Sequence, residues 1–452
     1  MPGCSLEGPR KDAIDSLQKQ IDFYVGETSR LRYAQNSHVL ISRLPAELLS
    51  DVFLYVVETG LKDDYTSFAL GTFGFLQVCR RWNEVAVGFP QLWVWWIPGA
   101  VKAWHLFKSR SNDAPLFLTW KHHLPDSARD ILTSTGTPKR FRQFYFDGGG
   151  EELEHLLAAL NSCSLSITSS IRLHDLSPNN DGEHLTRFFS LAFPKLSKLD
   201  LKNYLPDSSS SILITSNLTS LKLSLRDDFG PRRYTLSQLS RVLQQHPDLQ
   251  ELELQEGALP PVEKSGAPAP VVLPRLINLS LYGSSTSITA FMDLVNMSSP
   301  LHNVIVCFRP ISGPIKAFVS TAKKLLMSYY GCEGLEHPRR VNCLTISLDS
   351  SADELIVDAR SRSTTASHPI YHLRLQFHQS GYGLAQKIIP LVPLKRVREF
   401  TAERLFLLFA DDWRKALRRM KGLIHLRLDS TDIEPVLDAL GLDTGGTCGE
   451  AA

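Results

Sequence analysis

Leu218-Thr219-Ser220-Leu221-Lys222-Leu223, Leu249-Gln250-Glu251-Leu252-Glu253-Leu254 and Leu276-Ile277-Asn278-Leu279-Ser280-Leu281 are three copies of one pattern, apolar-x-x-apolar-x-apolar. A further clear copy precedes them at Leu196-Leu199-Leu201, and another closes the series at Leu423-Leu426-Leu428. Looser copies are Phe141-Phe144-Phe146, Leu301-Val304-Val306, Val341-Leu344-Ile346 and Ile370-Leu373-Leu375, with Thr168-Ile171-Leu173 and Val397-Phe400-Ala402 weaker again. Their first positions advance by 22 to 31 residues, apart from one step of 40 between Leu301 and Val341. The last two apolar positions of each copy alternate, as a short strand with one face on a core requires.

Helical stretches fall between the copies: Glu151 to Leu160, His184 to Ala192, Leu236 to Gln245, Ile288 to Val295, Ile315 to Tyr329 and Asp411 to Met420. One strand and one helix cannot bury their own apolar face, so such units stack on one another. The period resembles that of leucine-rich repeat proteins. That resemblance implies an irregular horseshoe of alternating strands and helices over residues 141–440, with strands lining a concave parallel sheet. The asparagine that usually follows the motif is mostly missing; Asn203 after Leu201 comes nearest. Two loops interrupt the repeats. The proline-rich Ala258 to Pro270 reads as extended and exposed, and Gly331 to Pro338 accounts for the long step.

A different pattern lies upstream. Ile41-Ser42-Arg43-Leu44-Pro45-Ala46-Glu47-Leu48-Leu49-Ser50-Asp51-Val52-Phe53 opens it, Val78-Cys79-Arg80-Arg81-Trp82 closes it, and Leu92-Trp93 trails. Pro45 suits a helix start, where a missing N–H costs nothing. Leu44, Leu48, Leu49, Val52, Phe53 and Val56 recur at helical spacing, as do Phe75, Val78, Cys79, Trp82 and Val85. Two short amphipathic helices of this kind carry more apolar surface than they can bury in themselves, which points to a partner. Together the two halves resemble an F-box over residues 41–96, about an eighth of the chain. The resemblance implies docking on a Skp-family adaptor, and through it on a cullin, as a subunit of an SCF-type ubiquitin ligase. It would place Leu44, Pro45, Leu48, Leu49, Val52, Phe53, Val78, Cys79 and Trp82 in or directly behind the adaptor interface. One departure stands out. Glu58 to Gly74 reads as an insert about ten residues longer than the compact family pattern, which leaves a second reading open: a leucine-rich-repeat scaffold, outside any ligase, whose F-box-like unit no longer docks.

Before this unit, Ile14, Leu17, Ile21, Tyr24, Thr28 and Leu31 form a heptad seam on a helix spanning about residues 12–40, with Gly26 inside it. Three heptads reach the lower edge of a coiled coil. The helix either self-associates or folds back on the following domain. Residues 1–11 and 441–452 read as disordered tails. Five of the seven tryptophans (Trp93, Trp95, Trp96, Trp104 and Trp120) crowd into residues 88–140, which join the two parts and include a Trp-rich junction over residues 97–140. Such a cluster serves either as a recognition pocket or as packing, and aromatics usually bury as packing.

Composition narrows the function. With 43 % hydrophobic residues in 452, the chain can bury large cores. Its 49 basic and 47 acidic residues nearly cancel, so no global charge draws it to nucleic acid or membrane. Seven cysteines without a CxxC pair read as reduced thiols of a cytoplasmic or nuclear protein. No apolar run approaches a membrane span, and the asparagines at 217, 278 and 296 in acceptor-like triplets read as chance matches without a secretion signal. No cofactor or metal is expected. Cys332, His337 and Cys343 fit no zinc spacing, His122-His123 stands alone, and Gly148-Gly149-Gly150 lacks the lysine of a phosphate loop. None of the common nucleophile, zinc or dinucleotide motifs occurs. Asp63-Asp64 and Asp411-Asp412 read as loop or helix-start residues, and Arg232-Arg233, Arg339-Arg340 and Arg418-Arg419 as short surface clusters. The expectation is a non-enzymatic adaptor that holds an unknown protein substrate on its repeats.

Overall fold

The computed structural model describes residues 7–63, 70–96, 103–121, 138–148, 150–161, 165–175, 183–225, 233–261, 268–296, 303–308, 343–349, 354–361, 371–378, 397–403, 409–429 and 433–442, with single positions 320, 323, 387 and 394. The chain forms two compact units, Met1–Tyr145 and Phe146–Ala452. The protein is mixed α/β, with an N-terminal helical region and a largely parallel sheet.

The first unit opens with α1 (Glu7–Ser37) and a 3-10 turn (Leu40–Arg43). Then come α2 (Ala46–Asp63), a second 3-10 segment (Leu70–Gln77) and α3 (Arg80–Val87). Strand β1 (Trp95–Trp96) follows, then α4 (Trp104–Arg110) and β2 (Leu116–Lys121), which pairs in parallel with β1 in the register Trp95↔Phe117. Strand β3 (Phe141–Gly148) carries the boundary between the units. Four of the five clustered tryptophans are packing, and Trp95 is half-buried. Trp93, Trp96, Trp104 and Trp120 are buried, and Trp104 sits 5.1 Å from Trp96 and 5.9 Å from Trp120, ring to ring.

In the second unit strands and helices alternate. After β3 come α5 (Gly150–Asn161), β4 (Ser170–Asp175), α6 (Glu183–Phe189), β5 (Lys198–Lys202), α7 (Ser211–Ile214) and β6 (Ser220–Leu225). The series continues through α8 (Leu236–Gln244), β7 (Glu251–Glu256), the short β8 (Val271–Val272), β9 (Asn278–Gly283), α9 (Ser285–Leu294), β10 (Val295–Asn296) and β11 (Asn303–Phe308). β4, β5, β6, β7, β9 and β11 pair in parallel in that order, and β8 pairs with β10 separately.

The repeat persists at the level of single hydrogen bonds. The amides of Lys198, Ser220, Glu251 and Asn278 each donate to the carbonyl just before the preceding strand or its equivalent (Ser169, Ser197, Thr219 and Gln250), at 2.9–3.1 Å. Inward leucines interlock along these strands. Leu199, Leu221, Leu252 and Leu279 lie in one cross-strand row, Leu201, Leu223, Leu254 and Leu281 in the next, and all eight are buried. Asn203, which takes the repeat's usual asparagine place, is buried with φ 64°, and its amide donates to Ser224 O at 2.6 Å. Asparagine tolerates this left-handed conformation better than most residues. Helix α8 begins on a reciprocal cap: Gln238 N donates to Thr235 Oγ1 at 3.1 Å, and Thr235 N donates to Gln238 Oε1 at 2.9 Å.

Later repeats depart from chain order. β12 (Cys343–Asp349), β13 (Glu354–Ser361), β14 (Tyr371–His378), β15 (Glu399–Glu403) and β16 (His425–Asp429) are arranged so that β14, not β12, pairs with β11. β13 lies between β14 and β12, antiparallel to both, and β12 then pairs with β15 and β15 with β16, all in parallel. A regular horseshoe would have stacked these strands in sequence order. The reversed β13 breaks that order, because a tight turn joins antiparallel strands whereas parallel ones need a long crossover. Helices α10 (Ala410–Arg419) and α11 (Glu434–Leu440) flank β16 in sequence. The proline-rich stretch departs from expectation as well: Ala258 and Leu259 are buried, and exposure begins only at Pro261.

Candidate functional site

Helix α2 is the center of the site. Its first turn is closed by Leu49 N donating to Pro45 O at 3.1 Å, and Ser50 Oγ donates to Ala46 O at 2.8 Å. Glu47 in that turn suits the positive end of the helix dipole. Leu49, Phe53 and Val57 make one row along the helix, and all three are buried. Phe53 stacks on Phe75 at 4.4 Å and meets Trp82 of α3 at 5.2 Å. Two further bonds hold this packing. Trp93 Nε1 donates to Ala86 O at 2.8 Å, and the Arg81 guanidinium donates to Leu44 O, tying α3 to the entrance of α2. The Arg110 guanidinium lies 4.4 Å above the Trp93 ring, a cation–π contact.

The adjoining row is open. Leu48 is 52 % exposed and Val52 44 %, and Tyr55 and Val56 are exposed beside them. At about 100° per residue, the two rows together spread apolar side chains over roughly 200° of the helix, twice the stripe that packing into one core needs. Only half of that arc is covered within the unit. Val39, Leu40 and Ile41, at the 3-10 turn ahead of the helix, are exposed as well.

The nine residues expected at the interface therefore divide by depth. Pro45, Leu48, Val52 and Val78 are exposed, Val78 to 55 %; Leu44, Cys79 and Trp82 are half-buried; Leu49 and Phe53 lie in the core. Phe53 and Trp82 touch, and Leu44 and Arg81 are hydrogen-bonded. Tyr55 was not among the expected positions, although an aromatic seven residues after Leu48 falls on the same face. The insert differs from a simple loop. Residues through Asp63 extend α2, and the described chain resumes at Leu70 in a 3-10 segment broken at Phe73 (φ −93°, ψ 17°). Phe73 and Phe75 are buried, Phe73 stacking on Trp93 at 5.4 Å. Residues 64–69 lie outside the described set.

The second unit offers a polar face. Outward positions of neighboring strands align Arg172, Asp200, Lys222 and Glu253 in one row of alternating charge. Arg172 Nε is 2.7 Å from Asp200 Oδ2, and His174 Nε2 is 3.2 Å from Asp200 Oδ1. Lys222 Nζ bridges Glu251 at 2.8 Å and Glu253 at 3.3 Å, and Ser220 Oγ donates to Glu251 at 2.8 Å. Burial alone would raise the Asp200 and Glu251 carboxyls. For Asp200 the His174 hydrogen bond and the nearby positive charges outweigh it; for Glu251, Lys222 and Ser220 do. Both are held below the usual carboxylate range. Burial opposes the Lys222 ammonium, but its two glutamates prevail and raise its pKa.

Other sequence features resolve as structure or fall outside it. Asp411 and Asp412 sit in the first turn of α10 and Arg418 and Arg419 in its last, an arrangement that suits the helix dipole. Among the described residues no group of three or more His, Cys, Asp or Glu could hold a metal, and no helix is long and apolar enough to cross a membrane. His122-His123, Asp64, Gly149, Cys332, His337, Arg232 and Arg339-Arg340 lie outside the described residues, as does the Gly331–Pro338 loop.

No family model matches the chain, and no curated protein does. Among solved structures it is similar to the yeast Rad7 and Elc1 complex, at 11 % identity over 96 % of both chains and a TM-score of 0.34. A likeness that slight carries no inference about fold or function.

Proposed function

We propose that this chain is the substrate-recognition adaptor of an SCF-type ubiquitin ligase. Its F-box-like unit docks on a Skp-family adaptor, and through it on a cullin, while a leucine-rich-repeat-like sheet presents a protein substrate. The observation that carries this is the uncovered row of α2: Leu48, Val52, Tyr55 and Val56 stand exposed beside a fully packed one. They belong to the same LPxELLxxVF stretch that resembles an F-box. The sheet supports the second half of the proposal. Its outward row alternates in sign, so its charges cancel one another locally and suit a polar protein surface better than a polyanion. Catalysis then belongs to other subunits, with this chain contributing proximity alone.

Co-purification with a Skp-family adaptor tests the docking half, using the wild type and a Leu44→Ala/Pro45→Ala double variant side by side. Wild-type binding that the folded variant loses is the expected result. Equal binding by both removes these two residues from the interface. Absence of wild-type binding favors the second reading, a repeat scaffold whose helical unit has lost docking. One observation speaks for that reading: α2 runs on to Asp63, and a kinked 3-10 segment follows where the compact pattern would place a helix.

A further inference from the structure

Helix α1 presents its whole heptad seam to solvent. Ile14, Leu17, Ile21, Tyr24 and Leu31 are each 54–66 % exposed, so no described part of this chain covers them. The fold-back expected of an intramolecular helix is not what the structure shows. From Ile14 to Leu31 the seam is about 26 Å long. We propose that its occupant is a second copy of the same helix, in a parallel, two-stranded coiled coil.

Three features select that occupant. The first is the residue type at each core position. With Ile14 at heptad position a, the a positions hold Ile14, Ile21 and Thr28, all β-branched, and the d positions hold Leu17, Tyr24 and Leu31. β-Branched residues at a with leucine at d favor two parallel strands over higher orders. The second is charge. In this register Glu27 falls at g and Arg32 at e. Across a parallel dimer each g residue faces the e residue five places on in its partner, so Glu27 of one copy meets Arg32 of the other, twice by symmetry. An antiparallel pair over the same seam would instead set Glu27 against Gln20 of the other copy, so the Glu27–Arg32 pairing would be lost. The third is what stays outside. Gly26 takes position f, and a methyl group placed there would meet nothing within 4 Å, so the glycine leaves the seam intact. Within one copy Glu27 pairs, among the described residues, with exposed Arg30 at 3.1 Å. A surface pair of that kind is weak enough to yield to a partner. The polar Thr28 at an a position would fix the register at some cost in affinity.

The test uses the full-length chain in sedimentation equilibrium over a range of concentrations at low salt. The wild type is expected to show a reversible monomer–dimer equilibrium with no larger species. Glu27→Arg and Arg32→Glu chains, each studied alone, should dimerize roughly tenfold more weakly, because both interhelical pairs become like-charged. Their equimolar mixture should recover the wild-type constant as a heterodimer, in which both pairs are again opposite. Both positions lie on the solvent side of the helix, so the fold should be retained. A wild type that stays monomeric throughout, a trimer or tetramer, or a mixture no tighter than its components would each overturn the proposal.

Discussion

Leu48, Val52 and Val78 offer the sharpest way to separate a docking face from ordinary surface. Burying a whole leucine or valine side chain stabilizes by about 1.5–3 kcal/mol. The three are 52 %, 44 % and 55 % exposed, so a partner that covers them gains about half of that from each. Truncating all three to alanine should therefore cost binding about 2–3 kcal/mol, a rise in Kd of roughly 30- to 150-fold. The same variant should barely change the protein's own stability, since exposed substitutions usually stay within about 0.5 kcal/mol. Phe53→Ala is the contrasting variant. Phe53 is 1 % exposed and wedged between Phe75 and Trp82, so its truncation should cost about 3–5 kcal/mol of folding stability. Calorimetric titration with a Skp-family adaptor measures the first effect, and urea unfolding of each variant measures the second. Two results would refute the reasoning: a triple variant that binds within twofold of wild type, or one that unfolds as readily as Phe53→Ala.

Two further outcomes concern the repeat unit. The His246 ring is buried, and burial outweighs the pull of the Leu213 carbonyl, lowering its pKa to about 4. The unfolded chain, with an ordinary value near 6.5, then binds more protons than the native state between those limits. The stability tied to this residue is complete above about pH 6.5 and declines by about 1–3 kcal/mol as pH falls toward 4. Urea midpoints of a His246→Leu variant should lose that slope, and an unchanged slope would show that the ring titrates freely in the native state. Lys222→Met should leave Glu251 and Glu253 without their shared cation and lower stability by about 1 kcal/mol at neutral pH. The deficit should shrink in concentrated salt; a salt-independent loss would point to packing of the lysine stem instead.

Much of the sheet was readable because each strand repeats a local signal. Leu218, Leu221 and Leu223 carry the period on their own, and every copy from 196 through 276 is buried as written. The last copy, Leu423-Leu426-Leu428, is only half-buried; among the described residues β16 pairs with β15 alone. Strand β13 was invisible for the opposite reason. Glu354 to Ser361 lacks the motif, and its reversed pairing with β12 and β14 depends on contacts far apart in the chain. Phe73 reads as part of the insert and Phe75 as the start of the second helical stretch, yet both lie in one broken 3-10 segment, whose short run matches neither helix nor strand periodicity. At the site the limit was finer still. Leu48 and Leu49 are equivalent as letters, and only the packing of Phe75 and Trp82 on Phe53 decides which row turns inward.

That decision bears on the choice between the two functional readings. A helical pair serving only to cap a larger fold needs one apolar stripe on α2, and selection for solubility would make the other row polar. Here the open row carries Leu48, Val52, Tyr55 and Val56, continuing a turn with Leu40 and Ile41 exposed and Pro45 at the helix entrance. Arg81 meanwhile fixes the Leu44 backbone to α3, so the entrance is held in place and does not depend on a partner to order it. A surface that is both apolar and pre-organized loses little entropy when covered. This combination is costly in a scaffold that has abandoned docking and useful in one that still docks, which is why the proposed adaptor role is preferred to the scaffold reading.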